Sequence, residues 1–302
     1  MRAASPADPS THDAPPPGAA DPGPDPRVRG LPLRVLGLVA GLVFAAPLIF
    51  LLQQAVSFGA PFRRALGDPA NLPPLGRSLL LAGTVAAATA VLGTACAWVV
   101  TRTELPLARA WAVLLALPLV LPSYIGAFTL QAALSRGGLT DRVLGLSLPS
   151  VEGFWAAFAI MTLLTYPYVF LLVAARLRQL PAALEESARL LGHRPPAIVR
   201  TVVLPQVLPA VAAGGLLVFL YVVSDFGAVQ LLRYDTLTRV IFGNLLDRPL
   251  SSALALQLGV VALVIAGGER AALARVRRTV GAVAVRGHAG LRYPLGRWRL
   301  PA

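Results

Sequence analysis

Few side chains in this sequence are equipped for chemistry. One cysteine, Cys96, and three histidines, His12, His193 and His288, are its only thiol and imidazole groups in 302 residues. A lone cysteine forms no intrachain disulfide and no cysteine zinc site, and the scattered histidines give no metal-ligand spacing. All 27 basic residues are arginine. Without lysine no Walker A loop, G-x-x-x-x-G-K-[ST], can be written, so this chain is not itself an ATPase of that kind. Three polar groupings stand out. Glu185 and Glu186, followed by Arg189, lie between two apolar runs; Ser224 and Asp225 close a long apolar run; Tyr166 and Tyr168 flank Pro167 inside another. Acid–base catalysis wants convergent titratable groups. Asp225 has no acidic companion in a run and no histidine lies in one, which argues against an enzyme working within a membrane.

The elements that position these groups follow from composition. Hydrophobic residues make up 56% and charged residues 14%, against about 25% charged in an ordinary soluble domain. The mean hydropathy is +0.68. Such a chain is neither disordered nor a water-soluble single core. Six apolar runs, at about 33–56, 78–100, 110–134, 154–175, 206–232 and 250–267, are each near the roughly 18 residues that mark a membrane helix. Backbone groups in lipid must bond within their own segment, so the runs are expected to be helices. Residues 1–30, rich in Pro, Ala and Asp without apolar period, are expected to be a disordered tail. Residues 31–74 then hold the first span and an outer loop, 75–270 the main transmembrane body, and 271–302 a basic tail.

The net charge of +13 could suggest nucleic acid, but in so apolar a chain it reads as loop arginines flanking spans. With a cytoplasmic N-terminus, nineteen arginines fall inside and eight outside, the pair Arg63–Arg64 being the discordant one. Both termini are therefore expected in the cytoplasm. Prolines at 118, 122, 167, 205 and 209 interrupt spans. They are either kinks in a packed bundle or the broken helices that line transport pathways.

The loop between the fourth and fifth runs, residues 177–205, holds most of the pattern. Pro181 suits a first helical turn. Leu184, Ala188 and Leu191 recur at i, i+4 and i+7 as one apolar stripe, and Glu185 precedes Arg189 in the favourable ion-pair order. Gly192 is placed for a left-handed cap, and Pro195–Pro196 for the start of a second short helix. The result is a short amphipathic helix–turn–helix. Its apolar stripe faces a protein partner or the lipid headgroups, and the stripe by itself does not choose.

This loop resembles the motif of permease subunits of binding-protein-dependent ABC importers: E-A-A, three residues, G, nine residues, I, one residue, L-P. Here Glu186, Ser187 and Ala188 are followed three residues later by Gly192, and nine residues after that by Val202, Val203, Leu204 and Pro205. The departures are Ser187 for alanine and Val202 for isoleucine. The resemblance implies an all-α integral membrane protein with about six transmembrane helices and the MetI-like fold of type I ABC importer permeases. It also implies a multi-pass location in the bacterial inner membrane. The first short helix is then a coupling helix docked on a separate ABC ATPase dimer, with Glu185, Glu186, Ser187, Ala188, Gly192, Val202, Leu204 and Pro205 as its residues. No cofactor is expected on this chain, since ATP is used by the partner subunit. The other implied partners are an extracytoplasmic substrate-binding protein, a second permease half or second copy, and membrane lipid.

YVVSDFGAVQLLRYDTLTRVIF from Tyr221 and ACAWVVTRTELP from Ala95 are similar to segments of ferric iron importers, which makes ferric iron the favoured cargo. Permeases for thiamine, polyamines, molybdate, sulfate and phosphonate share the architecture. Ser224, Asp225, Tyr166 and Tyr168 are candidate pathway or outer-mouth residues. Alternatively Asp225 pairs with Arg233 or Arg239, or is solvated, and the tyrosines simply pack. The ferric family usually carries two six-helix halves in one chain, and LRYPLGRWRLPA at the end resembles the start of a second half. Transport then needs another half, as a separate chain or a second copy, and a truncated product would be inactive. An ion-coupled secondary transporter usually needs intramembrane acids or bases, which are scarce here. A membrane anchor without transport is the remaining rival class.

Overall fold

The computed structural model describes residues 26–145 and 151–279. The chain divides into two units, Met1–Phe50 and Leu51–Ala302. The first contains most of α1 (Pro26–Phe58), whose 33 residues measure about 50 Å at the α-helical rise. It is apolar along its length, enough to cross a bilayer with turns to spare. Its start corrects the expected tail: residues 26–30 are helical, with Pro26 at the first position, where its missing N–H costs no bond. The rest of that tail, and the end of the basic tail from residue 280, lie outside the described residues.

The second unit is built around three long helices, α3 (Leu72–Arg102), α7 (Gly153–Gln179) and α10 (Leu204–Ser224). A short amphipathic helix, α2 (Ala60–Gly67), precedes them. The expected third span is broken. α4 (Ala108–Ala116) and a 3-10 turn at Leu117–Val120 lead to α5 (Ser123–Leu134) and α6 (Leu139–Leu144), and the chain bends 97° at the break. Pro118 and Pro122 remove two helical donors there. The result is five long apolar helices among the described residues, or six if the bent pair is one span. The fifth apolar run ends early: α10 stops at Ser224, and α11 (Gly227–Leu231) and α12 (Leu237–Gly243) follow before α13 (Arg248–Thr279). The motif loop folds as α8 (Ala182–Leu190) and α9 (Pro195–Ile198), the expected helix–turn–helix.

α7 is the axis of the core. Ile160, Met161, Val169, Phe170, Val173 and Leu177 are buried along it. The neighbours approach closely because glycine faces it on both sides. A Cβ on Gly93 of α3 would lie 2.8 Å from the Phe170 nitrogen and the Tyr166 carbonyl, and one on Gly214 of α10 would lie 2.8 Å from the Val169 Cα. Small residues at crossings are how membrane helices gain packing without a hydrophobic driving force. Elsewhere the surface is apolar: Val91, Phe128, Trp155 and Leu163 are all exposed, as a lipid-facing wall requires. Gly93→Leu is expected to lower stability by about 1–3 kcal/mol through overpacking against backbone. A fall in the melting temperature of the detergent-purified protein, absent for Gly83→Leu, which meets nothing, checks it.

Candidate functional site

The polar residues gather at two ends of the bundle. Ser78 and Arg102 lie on the same helix, α3, about 36 Å apart at 1.5 Å per residue. One end holds Arg102 and the motif loop; the other holds Ser78, Ser123 and Asp225.

At the loop end, α8 stops at a well-formed cap. Gly192 sits at φ +81°. Its N–H donates to the Arg189 carbonyl at 2.9 Å, and the His193 N–H donates to the Ala188 carbonyl at 3.1 Å. These two bonds are the Schellman arrangement, which needs a left-handed residue where glycine now stands. The expected left-handed cap is therefore present. Pro181 is corrected by one position: it is the N-cap and not a first-turn residue.

The buried face of α8 also differs from the expected stripe. Ala188 is buried and Leu184 half-buried, but Leu191 is 79% exposed, as is its neighbour Leu190. The helix has already turned at its cap there, so helical spacing no longer holds. Glu185 takes the buried position instead, with its side chain 2% exposed. Its carboxylate meets the Arg102 guanidinium at 2.8 Å, Arg102 being equally buried. Arg102 also donates to the Leu177 carbonyl at 3.1 Å. Leu177 is in the last turn of α7, where carbonyls lack helical partners and carry partial negative charge. One arginine thus joins the ends of α3 and α7 to α8. Sequence reading missed Arg102, since its place as the last residue of a span says nothing of a partner so distant along the chain. Glu186, Ser187 and Arg189 lie on the exposed face.

Between α9 and α10 the chain makes a π-helical turn, Val199–Val203, closed by the Leu204 N–H on the Val199 carbonyl. Pro205 cannot donate to the residue four before it, so the ladder is already interrupted at this point. Such turns recur at functional sites. Val202 and Pro205 are half-buried and Leu204 exposed. The Arg176 guanidinium donates to the Gln206 carbonyl at 3.1 Å, a second tie from α7 to the end of the loop.

At the far end Asp225 lies in the break between α10 and α11. Ser123, at the start of α5, donates to one of its carboxylate oxygens. The Ala228 N–H donates to the other at 2.9 Å, and Thr238 donates to its backbone carbonyl at 2.8 Å. Asp225 therefore joins the corner of the broken span to the turn that follows α10. The pairings weighed for it from sequence are made by other acids: Arg233 meets Glu152 at 3.4 Å, and Arg239 meets Asp235. Ser224 is exposed, and its hydroxyl bonds to the Tyr221 carbonyl. Tyr166 is buried in the core beside Gly93, whereas Tyr168 is half-buried with its ring centroid 5.9 Å from that of Tyr221. The structure does not bring Tyr166 to the Asp225 cluster. Ser123 is the member that sequence reading missed. Its only signal was its position directly after Pro122, at a helix start.

Comparison with known proteins bears on both ends. Residues 89–268 match the family described as "Binding-protein-dependent transport system inner membrane component". The chain is 31% identical over 211 residues to the "Fe(3+)-transport system permease protein FbpB 2" of Haemophilus influenzae, a match covering 70% of this chain and 39% of that protein. It thus spans about two fifths of that relative's length. It is 34% identical over 199 residues to the "Molybdenum transport system permease protein ModB" of Mycobacterium tuberculosis, covering 64% and 73% respectively. Its fold is similar to that of a chain in the crystal structure of a bacterial ABC transporter involved in the import of the acidic polysaccharide alginate. That match has a TM-score of 0.60 at 15% identity and covers 84% of this chain and 97% of the other. The fold is thus that of the type I ABC importer permeases.

Proposed function

Because the chain belongs to the family of binding-protein-dependent transport system inner membrane components, we propose that it is the permease subunit of an ATP-driven importer and that its cargo is ferric iron. The observation that carries the importer reading is α8. It presents the motif at full spacing, ends in the Schellman cap at Gly192, and leaves Glu186, Ser187, Leu190 and Leu191 open on one surface. That surface suits docking on a separate ATPase subunit: two exposed leucines supply apolar anchor area, and the flanking charges set orientation. An extracytoplasmic binding protein would deliver the cargo to the far end, near Asp225. A second permease half or second copy would complete the pathway and supply the other loop. Both termini are then cytoplasmic, on the same side as α8.

The ferric assignment rests on the similarity to the Haemophilus influenzae ferric permease and on charge. A carboxylate among hydroxyls at the far end favours a cation over an oxyanion such as molybdate. Uptake of labelled ferric iron by iron-starved cells of the source strain tests it. Deleting the gene is expected to lower uptake, and the intact gene to restore it. Unchanged uptake, with an ATPase still co-purifying, would move the assignment to another cargo of the same class.

A further inference from the structure

We propose that the buried Arg102–Glu185 pair is a tether that lets the motif loop pull the bundle as well as push it. The inference rests on the reading of α8 as the ATPase-docking element and names the residues that carry force from it.

The starting point is how little apolar surface holds α8 to the bundle. The helix has nine residues, with Ala188 buried and Leu184 half-buried as its apolar contacts. Dispersion contacts resist compression, but each is weak and lost within an ångström of separation. An ATPase cycle both closes and reopens, so a loop pressed on the helices by contact alone would return no motion on opening. The ion pair changes this. Arg102 is the last residue of α3, so its backbone moves with that helix. Its guanidinium holds Glu185 at 2.8 Å and the Leu177 carbonyl at 3.1 Å. Separating α8 from the bundle would leave both charges without their partners, and for a buried pair that is the costly direction.

The choice of charges supports a mechanical role. A well-packed apolar pair at a buried site is often as stable as an ion pair or more so. Stability alone therefore gives no reason for a guanidinium and a carboxylate under a short helix that otherwise packs by alanine and leucine. Directional bonding to two elements at once is what an apolar pair lacks, and the planar fork of arginine supplies it. Arg176, bonded to the Gln206 carbonyl, ties the other end of the loop to the same helix α7. The loop is thus held at both ends.

The test uses two variants. Glu185→Gln keeps shape and removes charge, and the double variant Arg102→Leu/Glu185→Leu keeps the site apolar and filled. In a Cys96→Ala background, spin labels are placed at two exposed positions, Ala183 on α8 and Val99 on α3. The label–label distance is measured on the full chain in lipid nanodiscs. The same variants, assembled with the ATPase, the other permease half and the binding protein in proteoliposomes, give labelled ferric uptake per ATP hydrolysed. A narrow distance is expected for the otherwise unchanged chain and a broad distribution for both variants. Uptake per ATP is expected to fall about tenfold with assembly retained. A narrow distance in the double variant, or an unchanged uptake per ATP, overturns the tether. Failure of an ATPase to co-purify would count against the docking reading instead, and the distance measurement, which needs only this chain, still decides the tether.

Discussion

A Gly192→Pro chain is expected to reach the membrane in normal amount and to retain less than about a tenth of its uptake. Gly192 holds φ +81° with nothing within 4 Å of the place a Cβ would take, so the obstacle is backbone conformation and not space. Proline fixes φ near −65° and has no N–H. The substitution therefore removes both the left-handed turn and the bond to the Arg189 carbonyl. The His193 bond to the Ala188 carbonyl depends on the same turn. An ordinary residue in a left-handed position costs about 1–2 kcal/mol; proline cannot enter it at all. Because α8 lies outside the α3–α7–α10 core, the loss falls on the loop and not on the bundle. Gly192→Ala is the graded control: it keeps the N–H, pays only the left-handed cost, and should retain intermediate uptake. Uptake and membrane abundance measured together check both. Normal uptake by the proline variant would mean that the cap does not shape a working surface.

Asp225→Ala is expected to lower both stability and uptake, and Asp225→Asn is expected to preserve most of each. The carboxylate accepts from Ser123 on one oxygen and from the Ala228 N–H on the other. Hydrogen bonds to a charged group contribute about 1.5–3 kcal/mol each, and alanine deletes both acceptors. Buried Ser123 then loses that acceptor, and the corner after Pro122 loses its tie to the turn after α10. Asparagine keeps an acceptor for one of the two donors and nearly the same shape. Melting temperature and uptake together separate positioning from contact with a cationic cargo. If asparagine kept the melting temperature but abolished uptake, the negative charge itself would be acting on the cargo. If asparagine kept both, Asp225 would be a positioning residue at the outer end.

Much of this protein is readable along the chain because its constraints are local or one-dimensional. Lipid cannot hydrogen-bond a backbone, so long apolar runs became helices near the expected places. The motif loop was legible for the same reason. Prolines set the starts of its helices, Gly192 sets its cap, and each acts within a few residues. The breaks in the third and fifth runs were half legible: Pro118 and Pro122 mark the first, but no proline marks the turn at Asp225. Tertiary structure alone decided the partners. Glu185 lies in helical register with Arg189, and nothing in that register points to Arg102. That pair forms because the ends of α3 and α7 converge over α8, where a lone charge would be costly to bury. Ser123 and Asp225 meet likewise because a 97° bend carries the start of α5 to the turn after α10. Leu191, apolar and in phase, is exposed because the cap turns the chain before it can pack. Periodicity predicts which residues share a face of one helix. Which face another helix covers, and which charge it brings, depends on how the long helices cross, and at Gly93 and Gly214 that crossing is set by contacts between distant segments.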